Sequence, residues 1–222
     1  MDKAIVSENQ PTVYFFSGLG ADERAFQRLD LGNAAIRYIQ WLVPEKAESF
    51  AQYAARLLPQ ITSPEPILVG LSFGGIMALE VAKQLSVQKV ILLGSVKNKH
   101  EIPPYYRFSA RIGLNRFIPV TWLKKTNKLT YWLFGASSLA DQRLLQQILH
   151  DTDPRFLTWA MHRLALWQNE VIPTEIIHIH GTADHVLPYR FIKNAIPIDQ
   201  AGHFMTLNRA EEISQLLRRL LH

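Results

Sequence analysis

No cysteine occurs among the 222 residues. Disulfides, a cysteine nucleophile and thiolate metal sites are thereby excluded. No apolar run approaches the length needed to cross a bilayer, so stable membrane insertion is not expected. The opening segment from Met1 to Gln10 lacks the apolar core of a signal peptide, which points to a cytoplasmic location. Linker-like, low-complexity and internally repeated stretches are also missing, and a chain of this length should form one domain carrying an insertion. Neither a Gly-Lys-Ser/Thr phosphate loop nor the full dinucleotide fingerprint is present, since Ser17-Gly18-Leu19-Gly20 is too short for the latter. His178-x-His180 is too weak a signal for a metal site, because alternate residues of a strand need not face one cavity. No metal and no organic cofactor is expected.

What the chain does have is an alternation of short apolar runs with longer amphipathic ones. The short runs carry few charges, as strands do when helices cover both faces of a parallel sheet. The pattern predicts strands at Thr12 to Phe16, Ala35 to Gln40, Ile67 to Leu71, Lys89 to Leu93, Glu175 to His180 and Ala195 to Ile198. It predicts helices at Glu23 to Leu29, Glu48 to Leu58, Gly74 to Leu85 and Arg209 to Leu220. The fold class is α/β, with a compact, mostly parallel six-stranded sheet. The stretch between Ser95 and Val171 breaks the alternation and is too long for a plain connection. It should fold as an inserted helical cap over residues 96–170, leaving 1–95 and 171–222 as the core.

Gly70-Leu71-Ser72-Phe73-Gly74 follows the apolar run Pro66 to Val69 and opens a helix-like run that begins at Gly74. Strand, sharp turn and helix in that order expose a serine hydroxyl above the strand end, and flanking glycines remove the Cβ atoms that would collide in so tight a turn. Ser72 is the candidate nucleophile. A later strand runs through His180-Gly181 into a turn that delivers Asp184 to the carboxyl edge of the sheet, where open α/β sheets hold their sites. Asp184 is the candidate orienting acid. The last strand gives way to Gly202-His203, and His203 is the candidate general base. A serine hydroxyl is a poor nucleophile until a neutral imidazole can take its proton, and a carboxylate fixes that imidazole's tautomer and stabilises the imidazolium that forms. Asp22 and Asp199 are less suitable acids. His178 and His180 lie in or at the edge of a buried strand, and His185 directly follows the acid. Tetrahedral intermediates also need N–H donors. Phe73, following the nucleophile at a helix start, supplies one backbone donor; Leu19, in the glycine-rich loop after the first strand, supplies the other.

These residues resemble the α/β-hydrolase superfamily from Pro11 to the C-terminus. Gly70 to Gly74 looks like its nucleophile elbow, His180 to Asp184 like its acid loop, and Gly202-His203 like its histidine loop. The resemblance implies a small capped serine hydrolase, esterase-like or thioesterase-like, acting through an acyl-enzyme intermediate with Ser72, Asp184 and His203 as nucleophile, acid and base. Many members carry His-Gly in the oxyanion loop where this chain has Ser17-Gly18. A serine nucleophile sets the chain apart from the aspartate-dependent dehalogenases and epoxide hydrolases that resemble it in fold. A carbon–carbon hydrolase or lyase on the same triad, and a non-catalytic receptor that keeps the fold, are the alternatives.

The expected partner is a small acyl substrate. The cap carries many aromatics, among them Tyr105, Phe134, Phe156, Trp159 and Trp167, enough to roof an apolar acyl pocket although most should be core. Ser95 to Tyr131 holds eight bases, Lys97, Lys99, Arg107, Arg111, Arg116, Lys124, Lys125 and Lys128, against Glu101 alone. A solvated basic face explains such a run, and attraction of an anionic substrate is its functional use. No nucleic-acid reading motif accompanies the charge.

Overall fold

The computed structural model describes residues 11–111, 124, 126–172 and 175–221. Six strands form one sheet in the order β2-β1-β3-β4-β5-β6. They are β1 (Val13–Phe16), β2 (Ile36–Tyr38), β3 (Ile67–Leu71), β4 (Lys89–Leu93), β5 (Ile176–Gly181) and β6 (Ile196–Ile198), and every pairing is parallel. Each falls within the expected run to within a few residues. The chain starts in the sheet's interior, steps out to β2, and crosses back to β3 on the other side of β1. The loops after β1 and β3 therefore diverge at a topological switch point, the place where such sheets leave a crevice.

Side chains alternate along the strands as the pleat requires. Tyr14, Phe16, Leu68, Val90 and Leu92 enter one core with α1 (Phe50–Leu57) and α2 (Phe73–Ala82). Val13, Phe15, Ile67, Val69, Ile91 and Leu93 enter the other, where Ile213 and Leu217 of the C-terminal helix pack. α1 begins at a full capping box in which Ser49 and Gln52 satisfy each other's backbone N–H groups. α2 is apolar all round save for Glu80, and nearly every residue of it is buried, as befits a helix wedged against the sheet.

The helix expected over Glu23 to Leu29 is instead a single 3-10 turn, Glu23–Phe26, capped by Asp22. One turn suffices to bury Ala25 and Phe26, whose ring lies 4.6 Å from that of Phe15, and the chain then turns toward β2.

Between β4 and β5 the described residues hold α3 (Pro104–Arg111), α4 (Lys128–Phe134), α5 (Leu139–Asp151) and α6 (Pro154–Ala165). These inserted helices do more than roof the sheet edge. Leu144, Leu145, Ile148 and Leu149 of α5 join one core, while Phe156 and Ala160 of α6, with Trp167 beyond it, join the other. Two tryptophans fasten the insertion: Trp159 donates to the Glu48 carbonyl and Trp167 to the buried Glu80 carboxylate, both at 2.8 Å. The chain closes with α7 (Met205–Asn208) and α8 (Ala210–Leu220).

Candidate active site

Ser72 sits at the turn between β3 and α2 with φ 53° and ψ −120°. A non-glycine residue in this region costs on the order of 1–3 kcal/mol and persists only where its surroundings impose it. Here they do. A Cβ on Gly70 would strike the Gly75 backbone, and one on Gly74 would strike the carbonyls of Phe16 and Ser17, so only glycines let the helix start this close to the strands. The Ser72 amide donates to the Leu93 carbonyl at 2.9 Å, and the Ser95 hydroxyl donates to the Ser72 carbonyl at 2.6 Å. The hydroxyl of Ser72 is left partly exposed above the sheet.

The acid and the base come from neighbouring strand ends. Pairing of β5 with β6 continues into their loops, with Thr182 N–H on the Ile198 carbonyl and Ala183 N–H on the Ala201 carbonyl, both at 3.0 Å. Asp184 and His203 are thereby brought together although nineteen positions apart in sequence. His203 Nδ1 lies 2.8 Å from Asp184 Oδ2, and His203 Nε2 lies 2.8 Å from Ser72 Oγ. The other carboxylate oxygen of Asp184 accepts the Val186 and Leu187 amides at 2.8 Å each. Burial pushes the Asp184 carboxyl up, but the His203 charge and the contacts from His180 and His203 outweigh it and hold the group well below the usual carboxylate range. An ionised acid on Nδ1 leaves Nε2 free to accept the serine proton. All three residues read from the sequence as a triad are thus in one hydrogen-bonded line.

The loop after β1 runs against this line. A Cβ on Gly18 would stand 3.6 Å from Ser72 Cβ. Ser17 donates to the Ala21 carbonyl at 2.6 Å and accepts the Trp41 indole at 2.8 Å. Thr152, from the end of α5, donates to the Gly20 carbonyl at 2.7 Å. The loop bearing Leu19 is therefore pinned at three points. Phe134 of α4 packs edge-on to the His203 ring at 5.6 Å, and its carbonyl accepts the Phe204 amide.

Several readings change on contact with the structure. Trp41 and Thr152 were invisible in the sequence as loop anchors, since nothing local marks a side chain that reaches a carbonyl far along the chain. His180 is buried as expected of a strand residue, yet its Nε2 lies 3.3 Å from Asp184 Oδ2. The signal was present: a histidine four positions before an acid, with a glycine turn between them. Asp22 serves as the cap of the 3-10 turn, and Asp199 accepts from Thr182. The basic stretch is partly neutralised, as Lys97 is buried beside Glu101 and Lys99 pairs with Glu170. Arg116 and Lys125 lie outside the described residues. Among the described residues no cluster of histidine and carboxylate groups could hold a metal ion, and no helix is long and apolar enough to cross a membrane.

A parallel sheet with a strained serine at a strand-to-helix elbow, answered by a histidine and an acid from later loops, defines a serine hydrolase. The chain belongs to the alpha/beta hydrolase family, whose model matches residues 13–216. Among solved structures it is similar to an esterase from Exiguobacterium antarcticum at 17% identity and TM-score 0.64, covering 96% of this chain and 92% of that one. It is similar to an enol-lactonase from Burkholderia xenovorans LB400 at 15% identity and TM-score 0.68, covering 97% and 93%. A third, MenH from S. aureus, gives 15% identity and TM-score 0.70, covering 97% and 95%. At such identities the likeness is one of fold. No curated protein matches the sequence.

Proposed function

We propose that this protein cleaves a carboxylic ester or thioester of a small acyl substrate, with Ser72 as nucleophile, His203 as general base and acid, and Asp184 as the orienting carboxylate. The unbroken line from Ser72 Oγ through His203 to Asp184 carries the reading. Ser72 Oγ attacks the carbonyl carbon as its proton passes to His203 Nε2. The oxygen that becomes negative is met by the backbone N–H of Phe73 and of Leu19. Phe73 N–H opens α2, where the first amides have no intrahelical acceptor, and Leu19 directly follows Gly18, which lies against Ser72. Imidazolium then protonates the departing alcohol or thiol, and a water activated by His203 releases the acid from Ser72.

Residues 96–170 act in this reading as the cap that shapes the acyl site. The remaining basic residues of the insertion, Arg107 and Lys128 among them, would attract an anionic ester. Raising salt should then increase KM for an anionic ester more than for a neutral one of equal length. A cytoplasmic place of action is part of the same proposal, and fractionation of cells expressing the native chain tests it.

The deciding experiment is intact-mass analysis after exposure to a small fluorophosphonate. A single adduct is expected on the parent protein, lost in Ser72→Ala and greatly slowed in His203→Ala. No adduct on the parent, under conditions that label a control hydrolase, overturns the assignment.

A further inference from the structure

The triad does not end at Asp184. His180, fully buried at the end of β5, has its Nε2 2.8 Å from the Leu187 carbonyl and 3.3 Å from Asp184 Oδ2, the same oxygen that faces His203. Both neighbours of that nitrogen are acceptors, so Nε2 carries a hydrogen. The other ring nitrogen, Nδ1, faces His178 Nε2 at 3.3 Å. His178 Nε2 in turn lies 3.1 Å from the Ser95 carbonyl, again an acceptor, so it too carries a hydrogen and presents it toward His180. A second hydrogen on His180 Nδ1 would meet that N–H head-on. Burial, above all, pushes His178 down to about 3, so its own ring is neutral at ordinary pH. The Ser95 hydroxyl then closes the circuit by donating to the carbonyl of Ser72.

We propose that His180 is a positioning residue of the triad, held by His178 as a neutral Nε2–H tautomer so that the Oδ2 oxygen of Asp184 has a second donor beside His203 without a second cation. It acts twice. Its Nε2–H donates to the Leu187 carbonyl at 2.8 Å while lying 3.3 Å from Asp184 Oδ2, and the Leu187 amide donates to Asp184 Oδ1. A neutral donor steadies the carboxylate and leaves its negative charge for the imidazolium of His203, whereas a cation there would cancel that charge. Other groups around this corner are His203 itself, Lys97 with Glu101 from the segment after β4, His185 beside the acid, Tyr189 with its ring 6.2 Å from His180, and Tyr105 and Tyr106 of α3, both of which feel the Asp184 charge. The inference rests on the serine-hydrolase reading above.

The test compares His180→Phe, which keeps a flat ring but removes the donor, with His180→Gln, whose amide N–H can take the place of Nε2–H. With any ester the parent turns over, His180→Phe should lose roughly tenfold to a hundredfold in kcat with little change in KM, the size expected for one hydrogen bond to a charged group. The acidic limb of its kcat/KM profile should move to higher pH, because a carboxylate with one donor fewer makes His203 more basic. His180→Gln should recover most of both. Equal kinetics and pH profile in His180→Phe and the parent, or a glutamine variant no better than phenylalanine while both melt cooperatively, overturns the proposal. Should both variants fail to fold, nitrogen-15 imidazole spectra of the parent decide: a neutral His180 protonated at Nε2 is required, and a cationic ring or an Nδ1–H tautomer rules the role out. An inactive, unlabelled parent would sink the hydrolase reading instead, whereas the imidazole spectrum bears on His180 alone.

Discussion

At the carboxyl edge of the sheet, Gly70, Ser72 and Gly74 are fixed by backbone contacts, either within the elbow or to the adjoining ends of β1 and β4. In the inserted helices, Ile148 and Phe156 are fixed by side chains that lie far away in sequence, in β1, the first 3-10 turn, β2's following loop and α2. The first region tolerates almost no substitution because there is no room for one. The second is held by the sum of many apolar contacts, each replaceable at some cost. Constraint by collision leaves a mark in the sequence, and constraint by summed contacts leaves only composition.

Four measurements sharpen or break that contrast. The largest effect is expected from Gly74→Ala, where the added Cβ falls on the Phe16 and Ser17 carbonyls; a loss of more than about 4 kcal/mol in urea unfolding, or no folded protein, is expected. A soluble, active alanine variant would mean the elbow can open. Phe156→Ala comes next. If the inserted helix shares the main core, removing a ring packed against Trp41 and Phe73 should cost about 3–5 kcal/mol by the same measurement, whereas a detachable roof would lose little.

The third concerns pH. His178 has its pKa lowered from 6.5 to about 3 in the fold, so below its free value the unfolded chain binds a proton that the native state refuses. Stability should therefore fall as pH drops from about 6.5, by up to roughly 1.4 kcal/mol per pH unit. Asp184 acts lower down: its contribution is present above the free carboxyl value of 3.8 and is lost as pH falls below that. Melting temperatures of the parent and His178→Leu across pH 7 to 4, a range of roughly the size over which a buried imidazole titrates, should show a flatter slope in the variant. Parallel slopes would place the acid sensitivity elsewhere. The smallest effect, and the only gain, is expected from Ser72→Gly. Relief of the positive φ should raise stability by about 1 kcal/mol while abolishing labelling and turnover, and a loss of stability would show that the serine side chain contributes more than its backbone costs.

The same contrast explains what could be read from the chain in advance. The six strands declared themselves through uncharged apolar runs, and Ser72, Asp184 and His203 through turns that follow such runs. Each of those signals is local. His180 reads first as a core histidine because it lies in a buried strand, although its place four residues ahead of Asp184 is itself a local signal. Trp41 and Thr152 hold the loop of Leu19 from distant points in the chain, and only the folded geometry joins them. The aromatics between β4 and β5 divided in a way composition does not foretell: Phe156 and Trp167 are buried in the core, while Tyr105, Phe108 and Trp132 are exposed. Phe117 and Trp122 lie outside the described residues. The 3-10 turn at Glu23 differs for the opposite reason, since its apolar positions are real but one turn already buries Ala25 and Phe26.

The tryptophan fastenings have a bearing on how such a protein diversifies. Trp159 reaches back to Glu48, just ahead of α1, and Trp167 to Glu80 of α2, so the helices between β4 and β5 are stitched to the frame at two separate points. An insertion tied in this manner cannot be exchanged between relatives as a cassette. A graft that brought new cap helices would also have to bring the matching surface of α1 and α2, or leave holes on that side of the sheet. New specificity in this lineage is thus more accessible through single replacements at the cap's inner surface than through recombination, and a chimera made at the strand ends alone should come out of the cell as aggregate.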